Sequence, residues 1–152
     1  METNFMELHD LFKKVEYLYR ERVKGILGPL KLSNLEFRYL KNIEEDERPT
    51  ISEISQRLSK HNSNITGLLD SLEKKGYIRR TMDTVDRRII RIEYTQEGLS
   101  KREEALKIFE NKVSLFLQDV PSPVLEQSFR VLRYFAEKLD EGKINMEEKR
   151  DA

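Results

Sequence analysis

The 152-residue chain has no cysteine. Disulfides, cysteine-based zinc sites and thiol redox chemistry are therefore excluded. Histidine is almost as scarce. His9 and His61 are far apart and lack metal-ligand spacing, and His9 reads as a helix-surface or interface residue. No apolar run approaches the roughly 20 residues of a membrane-spanning helix. The start METNFMELHDLFKK lacks the basic head and apolar stretch of a signal peptide, so a cytoplasmic protein is expected. There is no glycine-rich phosphate loop and no nucleophile elbow. Carboxylates are abundant only as surface charge. No enzyme active site and no cofactor are expected. Net charge is also missing, with 28 Lys and Arg against 28 Asp and Glu. That balance at first argues against a nucleic-acid partner.

What is present changes that view. Hydrophobic residues make up 38% of the chain and charged residues 37%. The apolar residues recur at helical spacing, so the chain reads as an ordered domain with long solvated helices rather than as a disordered one. The charge is unevenly placed. Between Gln56 and Ile92 there are nine Lys or Arg (57, 60, 74, 75, 79, 80, 87, 88, 91) and four Asp or Glu (70, 73, 83, 86), a local excess of +5. From Glu137 to Ala152 the balance is four to six, an acidic excess. Basic charge is concentrated in one segment, as expected of a nucleic-acid reader.

Residues 3–25 read as a helix. Phe5, Leu8, Phe12, Val15 and Tyr19 form a narrow seam suited to a partner helix, widened by Leu11, Leu18 and Val23. Gly25, Gly28 and Pro29 end it. Ser33 and Glu36 have capping-box spacing and open a second helix with Leu35, Tyr39, Leu40 and Ile43 on its apolar side. Thr50 and Glu53 repeat the spacing ahead of Ile51, Ile54 and Leu58. The polar turn Ser59-Lys60-His61-Asn62 follows, with His61 or Asn62 as the expected cap of a helix over 62–76. Its buried face is Ile65, Leu68, Leu69 and Leu72, and its stop is Gly76. Strands are expected over 77–82 and 88–94, joined by a tip at 83–87. Thr95 caps a long helix, roughly 96–119. Ser122 caps a last helix with Pro123 in its first turn, and the tail from Gly142 reads as frayed.

A helix-turn-helix with an attached hairpin is a device for holding a helix in a DNA groove. Asn62, Ser63, Asn64 and Thr66 begin the second helix, where short polar side chains can reach base edges. Asn can pair bidentately with adenine. Arg87 at the hairpin tip can enter a minor groove, with Asp83 and Asp86 near enough in sequence to orient it, while Arg88 binds phosphate or Asp. Lys60, His61 and Lys74 are candidate phosphate contacts.

The residues Ile65-Thr66, Leu68-Leu69-Asp70-Ser71-Leu72-Glu73-Lys74-Lys75-Gly76, Arg80, Asp86-Arg87-Arg88, Thr95 and Gly98 resemble, in order and spacing, the MarR family of winged-helix transcription regulators. The hairpin part is the more specific half of the match. The resemblance implies a mainly α fold of the α+β winged-helix type. It places a winged helix-turn-helix DNA-binding domain over 30–95, with helices 1–29 and 96–145 forming a dimerisation domain. It implies a homodimer on a pseudo-palindromic double-stranded operator, with Arg87 in the minor groove and Asp86 fixing it. It also implies a small aromatic or anionic effector, for which Phe12, Tyr17, Arg20 and Tyr39 are the candidate pocket, within an aromatic seam that includes Tyr19 and Phe37. There are two departures from the family pattern. Lys60 stands where an apolar residue is usual, and Gly67 stands on the exposed helix face where a larger residue is common. A winged-helix module that binds protein is the alternative reading.

Overall fold

The computed structural model describes residues 4–58 and 64–148. The chain divides into two compact units, Met1–Lys112 and Val113–Ala152. The first holds α1 (Phe5–Leu27), α2 (Asn34–Asn42), α3 (Ile51–Leu58), α4 (Ile65–Lys74), β1 (Ile78–Met82), β2 (Ile90–Tyr94) and the start of α5 (Gln96–Leu117). The second holds the end of α5 and α6 (Ser122–Glu148). No described helix is long and apolar enough to cross a membrane.

The helix starts are set locally. Ser33 Oγ accepts the Glu36 N–H at 3.1 Å while Glu36 Oε2 accepts the Ser33 N–H at 2.7 Å, which completes a capping box. Thr50 and Glu53 do the same for α3, at 3.2 and 2.7 Å. Thr95 Oγ1 accepts the Gly98 N–H at 3.0 Å at the head of α5. The end of α4 is equally local. Gly76 adopts φ +76°, its N–H reaches the Glu73 carbonyl, and the Tyr77 N–H reaches back to Leu72. These paired bonds are a Schellman stop, in which glycine carries the left-handed residue without a Cβ penalty.

One apolar core sits inside the first unit. Leu40, Ile43, Ile54, Leu58, Leu69, Leu72 and Ile92 are fully buried, and Tyr39 stacks edge-on to Tyr94 at 5.6 Å. Ala105 of α5 completes it, a small residue that apolar periodicity does not single out. Strands β1 and β2 pair antiparallel from Ile78↔Tyr94 to Met82↔Ile90, and Thr50 bridges to Arg91 on the other edge of β2.

Several boundaries differ from the expectation. Helix α1 runs past Gly25 to Leu27, and among its described side chains only Val23 and Leu27 enter the core. Arg88 and Ile89 belong to the hairpin turn rather than to β2, because the Asp83 N–H closes the turn on the Ile89 carbonyl at 2.9 Å. Helix α6 starts one residue early: Ser122 is already helical, and Pro121 supplies the carbonyl for Val124 and Leu125. Residues from Gly142 continue that helix to Glu148 instead of fraying at once.

Candidate nucleic-acid interface

Helix α4 is held on three sides. Ile65, Leu68, Leu69 and Leu72 are buried in the core. On one flank, the buried Glu36 carboxylate accepts hydrogen bonds from Ser71 Oγ at 2.8 Å and from Lys75 Nζ at 2.7 and 2.8 Å. Lys75 Nζ also donates to the Lys31 carbonyl at 2.8 Å. Burial works against a charge on Glu36, but the bonds from Lys75, the Ser33 N–H and Ser71 outweigh it and hold its pKa below the ordinary value. On the other flank, Arg80 of β1 grips Asp70 at 2.6 Å and also Glu73. Of the four charged side chains of α4 and its cap, Asp70, Glu73 and Lys75 are engaged, and Lys74 is left exposed. Arg38 adds a bond to the Leu58 carbonyl at 2.6 Å and secures the end of α3.

The solvent-facing start of α4 is polar and uncharged, as its residues suggested. Asn64 and Thr66 are exposed. Asn64 does not lie beyond the cap, however. It is the N-cap itself, and its Oδ1 accepts the Gly67 N–H at 3.0 Å. A Cβ on Gly67 would come within 2.5 Å of that same oxygen. The glycine on this face therefore leaves room for the capping carboxamide. Asn62, Ser63, Lys60 and His61 lie outside the described residues, as does the expectation that His61 or Asn62 caps the helix.

The wing is a turn over 83–89 built on two carboxylates. Asp83 Oδ1 accepts the N–H groups of Val85 and Asp86 at 2.9 and 3.1 Å, and its other oxygen pairs with Arg91 Nε. Arg91, followed by the two backbone donors, pulls the Asp83 pKa down to about 2. Asp86 accepts the Arg88 N–H at 3.0 Å and binds its guanidinium through both oxygens, at 3.0 and 2.9 Å. These bonds correct the expected pairing. The two aspartates orient Arg91 and Arg88, not Arg87, because the turn brings the neighbouring donors back onto the carboxylates. Arg87 is exposed and has no hydrogen bond or ion pair among the described residues. Below the turn, Glu93 joins Arg79 at 2.9 Å, Arg48 and Thr81, which stiffens the hairpin.

The candidate effector residues are not brought together. Tyr39 is sealed in the core, and burial raises its hydroxyl pKa. That hydroxyl has no hydrogen-bond partner among the described residues. Tyr17 and Arg20 are exposed on α1, where Arg20 pairs with Glu16 at 2.6 Å, and Phe12 is also exposed. A cleft of about 480 Å³ lies elsewhere, between α2 and α4, walled by Leu35, Glu36, Leu68 and Lys75. Among the described residues no group of His, Asp and Glu could hold a metal ion.

Helix α3, helix α4 with a polar exposed start, and a braced hairpin ending in an uncommitted arginine define a winged helix-turn-helix protein. Residues 32–90 match the model of the MarR family. Over 106 residues the chain is 33% identical to an uncharacterized HTH-type transcriptional regulator, YpoP, of Bacillus subtilis, covering 70% of this chain and 72% of that one. It is 28% identical over 137 residues to the B. subtilis transcriptional repressor YetL, covering 89% and 80%. The crystal structure of the transcriptional regulator BldR from Sulfolobus solfataricus superposes with a TM-score of 0.66 at 32% identity, covering 87% of this chain and 99% of that one. The chain belongs to the MarR family, and it is a DNA-binding transcriptional regulator rather than an enzyme.

Proposed function

We propose that the chain acts as a homodimer on a pseudo-palindromic operator, with α4 of each copy in a major groove and each wing in the adjacent minor groove. Residues 30–95 form the DNA-binding part, and 1–29 with 96–145 the dimerisation part. The observation that carries the DNA contact is the wing. Of the three arginines around its turn, Arg88 and Arg91 are spent on Asp86 and Asp83, and Arg87 alone is left for an external anion. Asn64 Nδ2 and Thr66 are the groups offered to base edges, and Lys74 is the phosphate contact.

The dimer reading is supported by apolar surface. Leu11, Val15, Leu18 and Tyr19 of α1 are exposed, as are Phe129, Leu132 and Leu139 of α6. Apolar faces of this extent belong in an interface, and two-fold symmetry then puts the two α4 helices about one turn of DNA apart. An effector site made from Tyr17, Arg20 and Tyr39 forms no part of the proposal, because Tyr39 has no accessible surface.

The test is a gel shift with DNA flanking the chain's own gene, at two salt concentrations, alongside sedimentation. Wild-type protein should bind as a dimer and weaken steeply with salt. Arg87→Ala should lose about tenfold or more in affinity with the dimer intact, while Arg88→Ala should lose less. No binding at low salt would favour the protein-binding alternative.

A further inference from the structure

The wing carries an exposed apolar residue as well as a free cation. Val85 is 94% exposed, the highest value among the large hydrophobic residues described. A single exposed apolar side chain is ordinary on a protein surface. The mounting of this one is not ordinary. Its own N–H is held by Asp83, the next N–H is held by the same oxygen, and Arg91 anchors the carboxylate from behind. Valine has one stiff side-chain torsion. The apex therefore presents two methyl groups in a fixed place, and ordering it on contact costs little. Arg87 is two residues away and has no partner among the described residues. Met82 and Ile89, at the two feet of the turn, are also exposed apolar residues.

A narrow apolar point with one free guanidinium beside it suits the minor groove of double-stranded DNA. The phosphate rims attract the cation, and the sugar walls offer C–H surface to the methyls. The floor of that groove differs between base pairs in one respect. A G·C pair adds the guanine 2-amino group, which an A·T pair lacks. Valine cannot accept a hydrogen bond from that amino group, so a G·C pair beneath it is both crowded and left with an unsatisfied donor.

We propose that Val85 is a specificity-determining residue that seats in the minor groove beside Arg87 and selects A·T over G·C pairs under the wing. The inference rests on the DNA-binding reading above. Its test uses the full chain and duplexes it selects from a random pool, with hydroxyl-radical footprinting to locate the wing. Pairs at that place are then changed to I·C, which keeps the A·T minor-groove floor, and to G·C. Wild-type protein should bind A·T and I·C duplexes alike and G·C about tenfold more weakly, within the range one wrong pair costs. Val85→Thr, whose hydroxyl can accept from the amino group, should shrink that ratio to about threefold or less, while Val85→Leu should keep it. An unchanged ratio in Val85→Thr would overturn the proposal, and so would I·C duplexes bound as weakly as G·C. If wild-type protein selects no duplex at all, the DNA-binding reading falls and takes this one with it.

Discussion

Asn64 Oδ1 accepts the Gly67 N–H at 3.0 Å, and the place a Gly67 side chain would occupy is 2.5 Å from that same atom. Cap and glycine are therefore one device at the start of α4. Asn64→Ala should cost about 1 kcal/mol, the usual loss of an N-cap. Gly67→Ala should change stability little in the wild-type background, because up to about 1 kcal/mol of helix propensity is offset by the displaced cap. In the Asn64→Ala background the same change should stabilise by about that full amount. A urea-unfolding cycle measures the coupling, and strictly additive effects would show that the two residues are independent.

Glu36 and Lys75 are 39 residues apart, and their contact fixes how α4 lies against α2. The Glu36 side chain is 4% exposed and that of Lys75 32%. Breaking a fully buried pair costs about 3–5 kcal/mol, and the partial exposure of Lys75 reduces this, so Glu36→Ala should destabilise by about 2–3 kcal/mol. Glu36→Gln should cost less, since an amide still accepts the Ser33 N–H. Denaturation midpoints at neutral pH test both. A loss under about 0.5 kcal/mol for Glu36→Ala would mean the brace contributes little.

Gly98 marks where α5 is pressed onto the α4–β1 corner. A Cβ there would lie 1.8 Å from the Tyr77 carbonyl oxygen, which already accepts the Thr95 N–H at 3.0 Å. The obstacle is backbone and cannot rotate away. Gly98→Ala should therefore destabilise by about 3 kcal/mol, at the upper end of overpacking costs. Thermal unfolding of the variant checks this, and a melting temperature equal to that of wild type would contradict the packing.

Asp83 should give the wing a pH signature. Its folded-state pKa of about 2 lies below the ordinary 3.8, chiefly because of Arg91. A depressed carboxylate pKa contributes stability that is complete above the unfolded value and is lost as pH falls towards the folded one. The difference between wild type and Asp83→Asn should thus be constant down to about pH 5 and shrink between about pH 4 and 2. In carboxyl-resolved NMR titrations, Arg91→Ala should move the Asp83 midpoint up towards the ordinary value. A wild-type midpoint already near 4 would contradict the pairing.

Much of the fold was legible because its signals are short-range. The capping boxes Ser33–Glu36 and Thr50–Glu53 and the stop at Gly76 each involve residues within five positions of one another. The strand faces were legible for the same reason, since Ile92 and Tyr94 alternate with Arg91 and Glu93. The order helix, helix, helix-turn-helix, hairpin, helix, helix follows from such local choices, and with it the family.

The tertiary structure decided which side chains are already spent. Asp86 could reach Arg87 or Arg88 on sequence distance alone, and the closed turn delivers it to Arg88. Asp83 belongs to Arg91, eight residues away, because strand pairing brings them side by side. The resemblance put Tyr39 among the candidate effector residues, but core packing against Tyr94 closes it off. Helical periodicity tells which residues share a face. Which contacts that face makes depends on long-range packing, so the sequence determined the helix-turn-helix and its hairpin, and the folded chain determined that Arg87 is the arginine of the turn without a partner among the described residues.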